Sequence, residues 1–157
     1  MNIKRLLEKQ KRLDELIFTN FNIKEYPIVK AKLALIRELS ELMEEIGDFK
    51  YWKRNKTTNR KKALVEWADC LHFALSIESK LGFSCSNLDI SELVKEVSTV
   101  GKFDVLFENA FKSVVLFQMP LIDVLLIGYK LGFTDLEMEE AYLNKNSINI
   151  QRQYTGY

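Results

Sequence analysis

Apolar residues recur along most of this chain at i, i+3, i+4 and i+7, the spacing of one helical face. That pattern predicts helices over about residues 2–19, 28–47, 59–81, 89–99, 103–117, 120–131 and 134–152. Strict alternation, the mark of a half-buried strand, does not dominate anywhere, so the expected class is all-α. The breakers agree with these limits. Pro27 suits the first turn of the second helix, and Pro120 opens a later one. Gly47 and Gly82 are natural C-terminal stops. Ser91 precedes Leu93 and Val94 as a helix start, and Thr134 followed by Glu137 has capping-box spacing. No repeat, low-complexity tract or linker interrupts the run, so one helical-bundle domain over 1–157 is expected. Its core is a central antiparallel helix pair.

Two of these helices carry acids in unusual places. In LALIRELSELMEEIGDFKYWK (33–53), take about 100° per residue with Glu38 at zero; Glu41 then falls at about 300° and Glu45 at about 340°. Leu35, Leu42 and Ile46 fall between about 40° and 80°. The acids therefore border the core-facing stripe instead of opposing it. In KKALVEWADCLHFALSIESKLG (61–82), Glu66 and Asp69 sit among Cys70, Phe73, Ala74 and Ile77. This second helix is apolar nearly all round, the mark of a central, buried helix. Like charges one turn apart repel, and partly buried carboxylates lose solvation. A hard divalent cation such as Mg²⁺ compensates both costs. A charged stripe matched by lysines is the other reading of such a pattern, and spacing alone leaves both open.

Composition narrows the rest. The chain has 157 residues, enough to bury a sizeable core, with 47% hydrophobic and 29% charged residues. Basic residues number 23 and acidic residues 22, so no global field recruits a nucleic acid polymer or an anionic membrane. Any anion site is local. Cys70 and Cys85 fit neither a disulfide framework nor a metal-ligand spacing, and Cys70 reads as a small core residue. No stretch approaches the ~18–20 apolar residues of a membrane span, and the N-terminus is too charged for a signal peptide. A cytoplasmic protein is expected. The segment KRNKTTNRKK (53–62) is basic and reads as a solvated loop.

Three separated blocks then become recognisable: ELSELMEEIGDFKYWK, VEWADCLHFALS and YLNKNSINIQRQYTGY. Together they resemble the all-α dimeric dUTPases, part of the wider all-α nucleotide pyrophosphatase group that includes the MazG-type enzymes. E-x-x-E followed by E-x-x-D marks the wider group. The D-x-x-H-F extension and the K-N-x-x-N-x-x-R-Q-x-x-G-Y string mark the dUTPases. The resemblance implies Mg²⁺-dependent hydrolysis of dUTP, and of dUDP, to dUMP in a homodimer. It implies that Glu38, Glu41, Glu66 and Asp69 are metal ligands, with Glu38 or Glu41 beside the attacking water. It places His72 and Phe73 beside the nucleoside, Trp52 near the base, and Lys145, Asn146, Asn149 and Arg152 on sugar and phosphates. Gln10 and Asp14 align with base-contacting positions, where the family often has asparagine in place of Asp14.

The residues support part of this unaided. Lys145, Asn149 and Arg152 lie at i, i+4 and i+7, one helical face offering two cations and an amide. A basic helix end favoured by the macrodipole is the plainer reading. His72, Trp52 and Phe73 would each pass for core residues without the motif. A pyrophosphatase for another nucleotide such as dCTP would share the acids and differ at the base. A non-catalytic helical interaction module would share only the scaffold.

Overall fold

The computed structural model describes residues 1–82, 102–116 and 119–156, together with Glu92, Lys95 and Val97. Within them lie six helices: α1 (Ile3–Asn20), α2 (Ile28–Ile46), α3 (Arg60–Leu81), α4 (Phe103–Val115), α5 (Pro120–Lys130) and α6 (Asp135–Thr155). No strand occurs among the described residues. The all-α expectation holds, and each of these helices ends within three residues of its predicted limits. The helix expected at 89–99, with its start at Ser91, lies almost wholly outside the described residues, as does Cys85.

The caps follow from local chemistry. Asn2 and Asn59 accept from the backbone N–H of Arg5 and Lys62, each satisfying one orphan donor of a first turn. Thr134 and Glu137 form the full capping box of α6. Gly47 ends α2 at φ 69°, a left-handed conformation open to glycine at little cost.

The loop after Gly47 brings the start of α3 back beside the end of α2. Asn59 N–H donates to Glu45 O at 3.1 Å, and Thr58 Oγ1 to Ile46 O at 3.2 Å. The two helices are therefore antiparallel neighbours. α3 is the hub and packs on α1, α2, α5 and α6. Trp67, Leu71, Ala74 and Leu75 are completely buried on it. The Trp67 indole donates to Val124 O of α5 at 2.7 Å, which satisfies its only polar atom. α5 comes this close because Gly128 carries no side chain; a Cβ there would lie 2.6 Å from Trp67 Nε1. α6 returns along α1 and α3. One end of α3 thus carries acids towards α2, and its flank carries polar groups towards α1 and α6.

Candidate metal and nucleotide site

The α2–α3 pairing aligns the two acidic stripes. One carboxylate oxygen each from Glu38, Glu66 and Asp69 lies within 4.8 Å of the others. Glu38 is only 8% exposed. Burial, reinforced by Asp69, Glu41 and Glu66, pushes its carboxyl up to about 7 against the pull of Arg37. Burial raises Glu66 as well, with Asp69 and Glu41 adding to it. Asp69 is raised by burial and pulled back by Lys145, whose Nζ donates to Asp69 Oδ2 at 2.6 Å. The cluster is short of positive charge.

Does it fit a divalent ion? Mg²⁺–oxygen bonds of about 2.1 Å put opposite ligands about 4.2 Å apart. The carboxylate oxygens lie no more than 4.8 Å apart, so closing on an ion needs at most a few tenths of an ångström per side chain, within ordinary rotamer adjustment. The donors are all hard carboxylate oxygens from two rigid helices. They fit.

The acids form one wall of a cleft of about 440 Å³. Lys145, Asn149 and Arg152 of α6 face them across it. Arg152 Nη1 donates to Asn149 Oδ1 at 3.3 Å. Four carboxylates and three cations thus share one open space, which suits a phosphate chain bridged to metal.

A second cavity of about 300 Å³ adjoins this cleft, and Asp69, Phe73 and Asn149 line both. Its wall is largely apolar, with Leu13, Ile17, Phe18, Ile23 and Phe73 among the lining side chains. Its polar groups gather where α1 meets α3. Gln10 Nε2 donates to Asp14 Oδ1 at 2.8 Å, and Ser76 Oγ donates to Asp14 Oδ2 at 2.7 Å. The Tyr26 and Ser76 hydroxyls are 2.8 Å apart. His72 Nδ1 lies 2.7 Å from Gln10 Oε1, and its ring stacks on Tyr142 at 4.2 Å. Burial pulls the imidazole down to about 3, so the ring is neutral near pH 7. An apolar slot with one polar wall, opening beside an acid–base cleft, has the chemistry of a nucleoside pocket next to a phosphate site.

Residues 2–157 match the sequence model of the family described as dUTPase. The chain belongs to the dUTPase family. No individual curated protein matches it. Membership makes it a nucleoside triphosphate pyrophosphohydrolase of the dUTP-cleaving type, and dUTPases generally use a divalent metal. Among the described residues no helix is long and apolar enough to cross a membrane.

The dUTPase fold brings most of the expected residues together. Glu38, Glu66 and Asp69 form the compact acidic group, while Lys145, Asn149 and Arg152 face it. Gln10, Asp14, His72 and Phe73 line the adjoining pocket. Glu41 lines the cleft but stands outside the compact group, paired with Arg37 Nη2 at 2.5 Å. Two residues fall elsewhere. Trp52 is 61% exposed in the turn after α2, edge-on to Phe49 and Tyr51, and lines neither cavity. Asn146 is buried in the row Met138–Tyr142–Asn146 of α6. That row packs inward, which turns Asn146 away from the face holding Lys145 and Asn149.

Sequence reasoning passed over three residues here. Arg37 reaches both Glu38, at 3.0 Å, and Glu41. Its place four residues before Glu41 was the available signal. Tyr26 and Ser76 complete the polar wall from 50 residues apart, and no local pattern connects them.

Proposed function

We propose that this dUTPase hydrolyses dUTP to dUMP and pyrophosphate, and dUDP to dUMP and phosphate, by attack of water on the α-phosphorus. The observation that carries the site assignment is the convergence of Glu38, Glu66 and Asp69 within 4.8 Å, opposite Lys145 and Arg152 in one cleft. Glu38, Glu66 and Asp69 would hold Mg²⁺, and Glu41 would join them by exchanging its Arg37 contact. When bound, the ion lowers the pKa of water and offsets charge on the phosphates.

The chain's own residues do the rest. Glu38, the most buried acid of the group, would take the proton of the attacking water onto its carboxylate. Lys145 and Arg152 hold the outer phosphates and fix the leaving group, with Asn149 donating between phosphates and sugar. Phe73 packs on the nucleoside. Gln10 and Asp14 meet the base edge. His72, neutral and bonded to Gln10, orients that amide and does not serve as an acid. Such catalysis rests on positioning and electrostatics, without a nucleophilic serine or cysteine. The buried Cys70 thiol, raised well above its usual range by burial, fits that picture.

The whole chain acts as one domain in this reading, as a cytoplasmic homodimer. Exposed apolar side chains on α2, Val29 and Leu33, support a covered face; light scattering of the purified protein reads the oligomer. The enzymatic test is release of pyrophosphate from a panel of deoxynucleoside triphosphates with and without Mg²⁺. Turnover of dUTP that needs Mg²⁺ is expected. Equal turnover of dCTP, or none of any nucleotide, would overturn the reading.

A further inference from the structure

The polar wall of the pocket has its protons ordered, and the ordering follows from hydrogen-bond bookkeeping. Asp14 is an acceptor when ionised. Ser76 therefore spends its single hydroxyl proton on Asp14 Oδ2, 2.7 Å away. With that proton committed, the 2.8 Å contact between Ser76 and Tyr26 can only be donated by Tyr26. Burial pushes the Tyr26 phenol up to about 12, so that proton is present at neutral pH. A second line arrives from the other side. The Gln10 amide must turn Nε2 towards Asp14, since the reverse would set its carbonyl oxygen against the carboxylate. Gln10 Oε1 then accepts from the Tyr142 hydroxyl at 3.1 Å and lies 2.7 Å from His72 Nδ1. Two chains of donors thus converge on one carboxylate. Burial raises the Asp14 pKa, and the Ser76 and Gln10 donors pull it back down.

This ordering decides what the wall shows to a ligand. Both carboxylate oxygens keep spare lone pairs, and the Tyr26 and Ser76 oxygens have no proton left to give. Beside Gln10, the wall is a set of acceptors. A uracil ring carries a hydrogen on N3, whereas a cytosine ring carries a lone pair there. We propose, on the dUTP reading above, that Tyr26 and Ser76 are positioning residues for base selection: they hold the Asp14 carboxylate as a fixed acceptor for the uracil N3–H and so disfavour cytosine. Specificity of this type comes from unmatched polar groups with the wrong base, which cost more than a missing apolar contact.

The test is steady-state kinetics with dUTP and dCTP on the full-length protein in Mg²⁺. It compares the wild type with Ser76→Ala, Ser76→Thr and Tyr26→Phe, with circular dichroism on each. The wild type should favour dUTP by about 100-fold or more in kcat/KM. Ser76→Ala should narrow that ratio about tenfold, chiefly through the KM for dUTP, the scale of one lost bond to a charged group. Ser76→Thr keeps the hydroxyl and should restore the ratio. Tyr26→Phe keeps the ring and should narrow the ratio by about threefold, the scale of a lost neutral hydrogen bond. A purely structural role would lower stability and leave the ratio alone. An unchanged ratio in both Ser76→Ala and Tyr26→Phe, with dUTP still turned over, would overturn the proposal and leave the dUTP reading intact. A wild type that cleaves dCTP as readily as dUTP overturns both, and so does one that cleaves neither.

Discussion

Glu38→Gln is the sharpest probe of the acidic cluster, because structure and mechanism predict opposite effects on stability and activity. The Glu38 carboxyl rises from 4.5 to about 7, first through burial and then through Asp69 and Glu41. A carboxyl raised in the folded state binds its proton more tightly there than in the unfolded chain. Its contribution to stability is therefore full below about pH 4.5 and is lost as pH rises through about 7. At about 1.4 kcal/mol per pH unit, the ionised group costs the metal-free protein about 3 kcal/mol at pH 8. Glutamine mimics the protonated acid and removes that cost. For a protein of this size, the variant should melt roughly 5–10 °C above the wild type at pH 8 in chelator. At pH 4 the two should nearly coincide. Added Mg²⁺ should raise the wild-type melting temperature and move the variant less, through ligand linkage. The stabilised variant should also lose nearly all dUTP turnover. Coincident melting curves at pH 8, or a variant that melts lower, would refute the electrostatic argument, whatever the activity.

Other outcomes follow from single contacts. Gly128→Ala sets a methyl group 2.6 Å from Trp67 Nε1 and 2.9 Å from Met138 Sδ. Overpacking should lower unfolding free energy by about 1–3 kcal/mol in urea titration, and an unchanged midpoint would contradict the tight α3–α5 crossing. Arg152→Ala should cut kcat/KM for dUTP by roughly 10–100-fold, raising KM and lowering kcat together, the scale of one lost bond to a charged group. Normal kinetics would exclude α6 from the phosphate site. His72, held near 3, should show no change in its ring proton NMR shift between pH 5 and 8; a midpoint near 6.5 would place it in water.

The helices were legible because their signals are local. Pro27, Gly47 and Gly82 bound the two helices that carry the acids, and the helical wheel already put Glu38 beside Leu35 and Leu42. The antiparallel pairing is fixed where the far end of the 47–59 connection bonds back to Glu45 and Ile46. Other features depend on what meets across helices. Glu41 shares the acidic face on the wheel, yet a side-chain rotation gives it to Arg37. Asn146 follows Lys145 in the motif, but a 100° step on α6 turns it into the row that Met138 and Tyr142 bury. Trp52 is expected near the base, while the turn beyond Gly47 leaves it exposed and edge-on to Phe49 and Tyr51. The Tyr26–Ser76 bond joins the segment before α2 to the middle of α3, a meeting that only the assembled bundle reveals.

The wall shared by the two cavities bears on how the enzyme would let go of its products. Asp69, Phe73 and Asn149 belong to both, so on the proposed function an intact nucleotide would be gripped at two ends by one continuous surface. Two tethered contacts reinforce each other, since each end holds the other at high effective concentration. The bond that is cut lies between those ends. Hydrolysis turns one bivalent ligand into two monovalent ones, and each half then faces its cavity alone. Affinity is surrendered by the reaction itself, so the products can leave without a separate opening of the bundle.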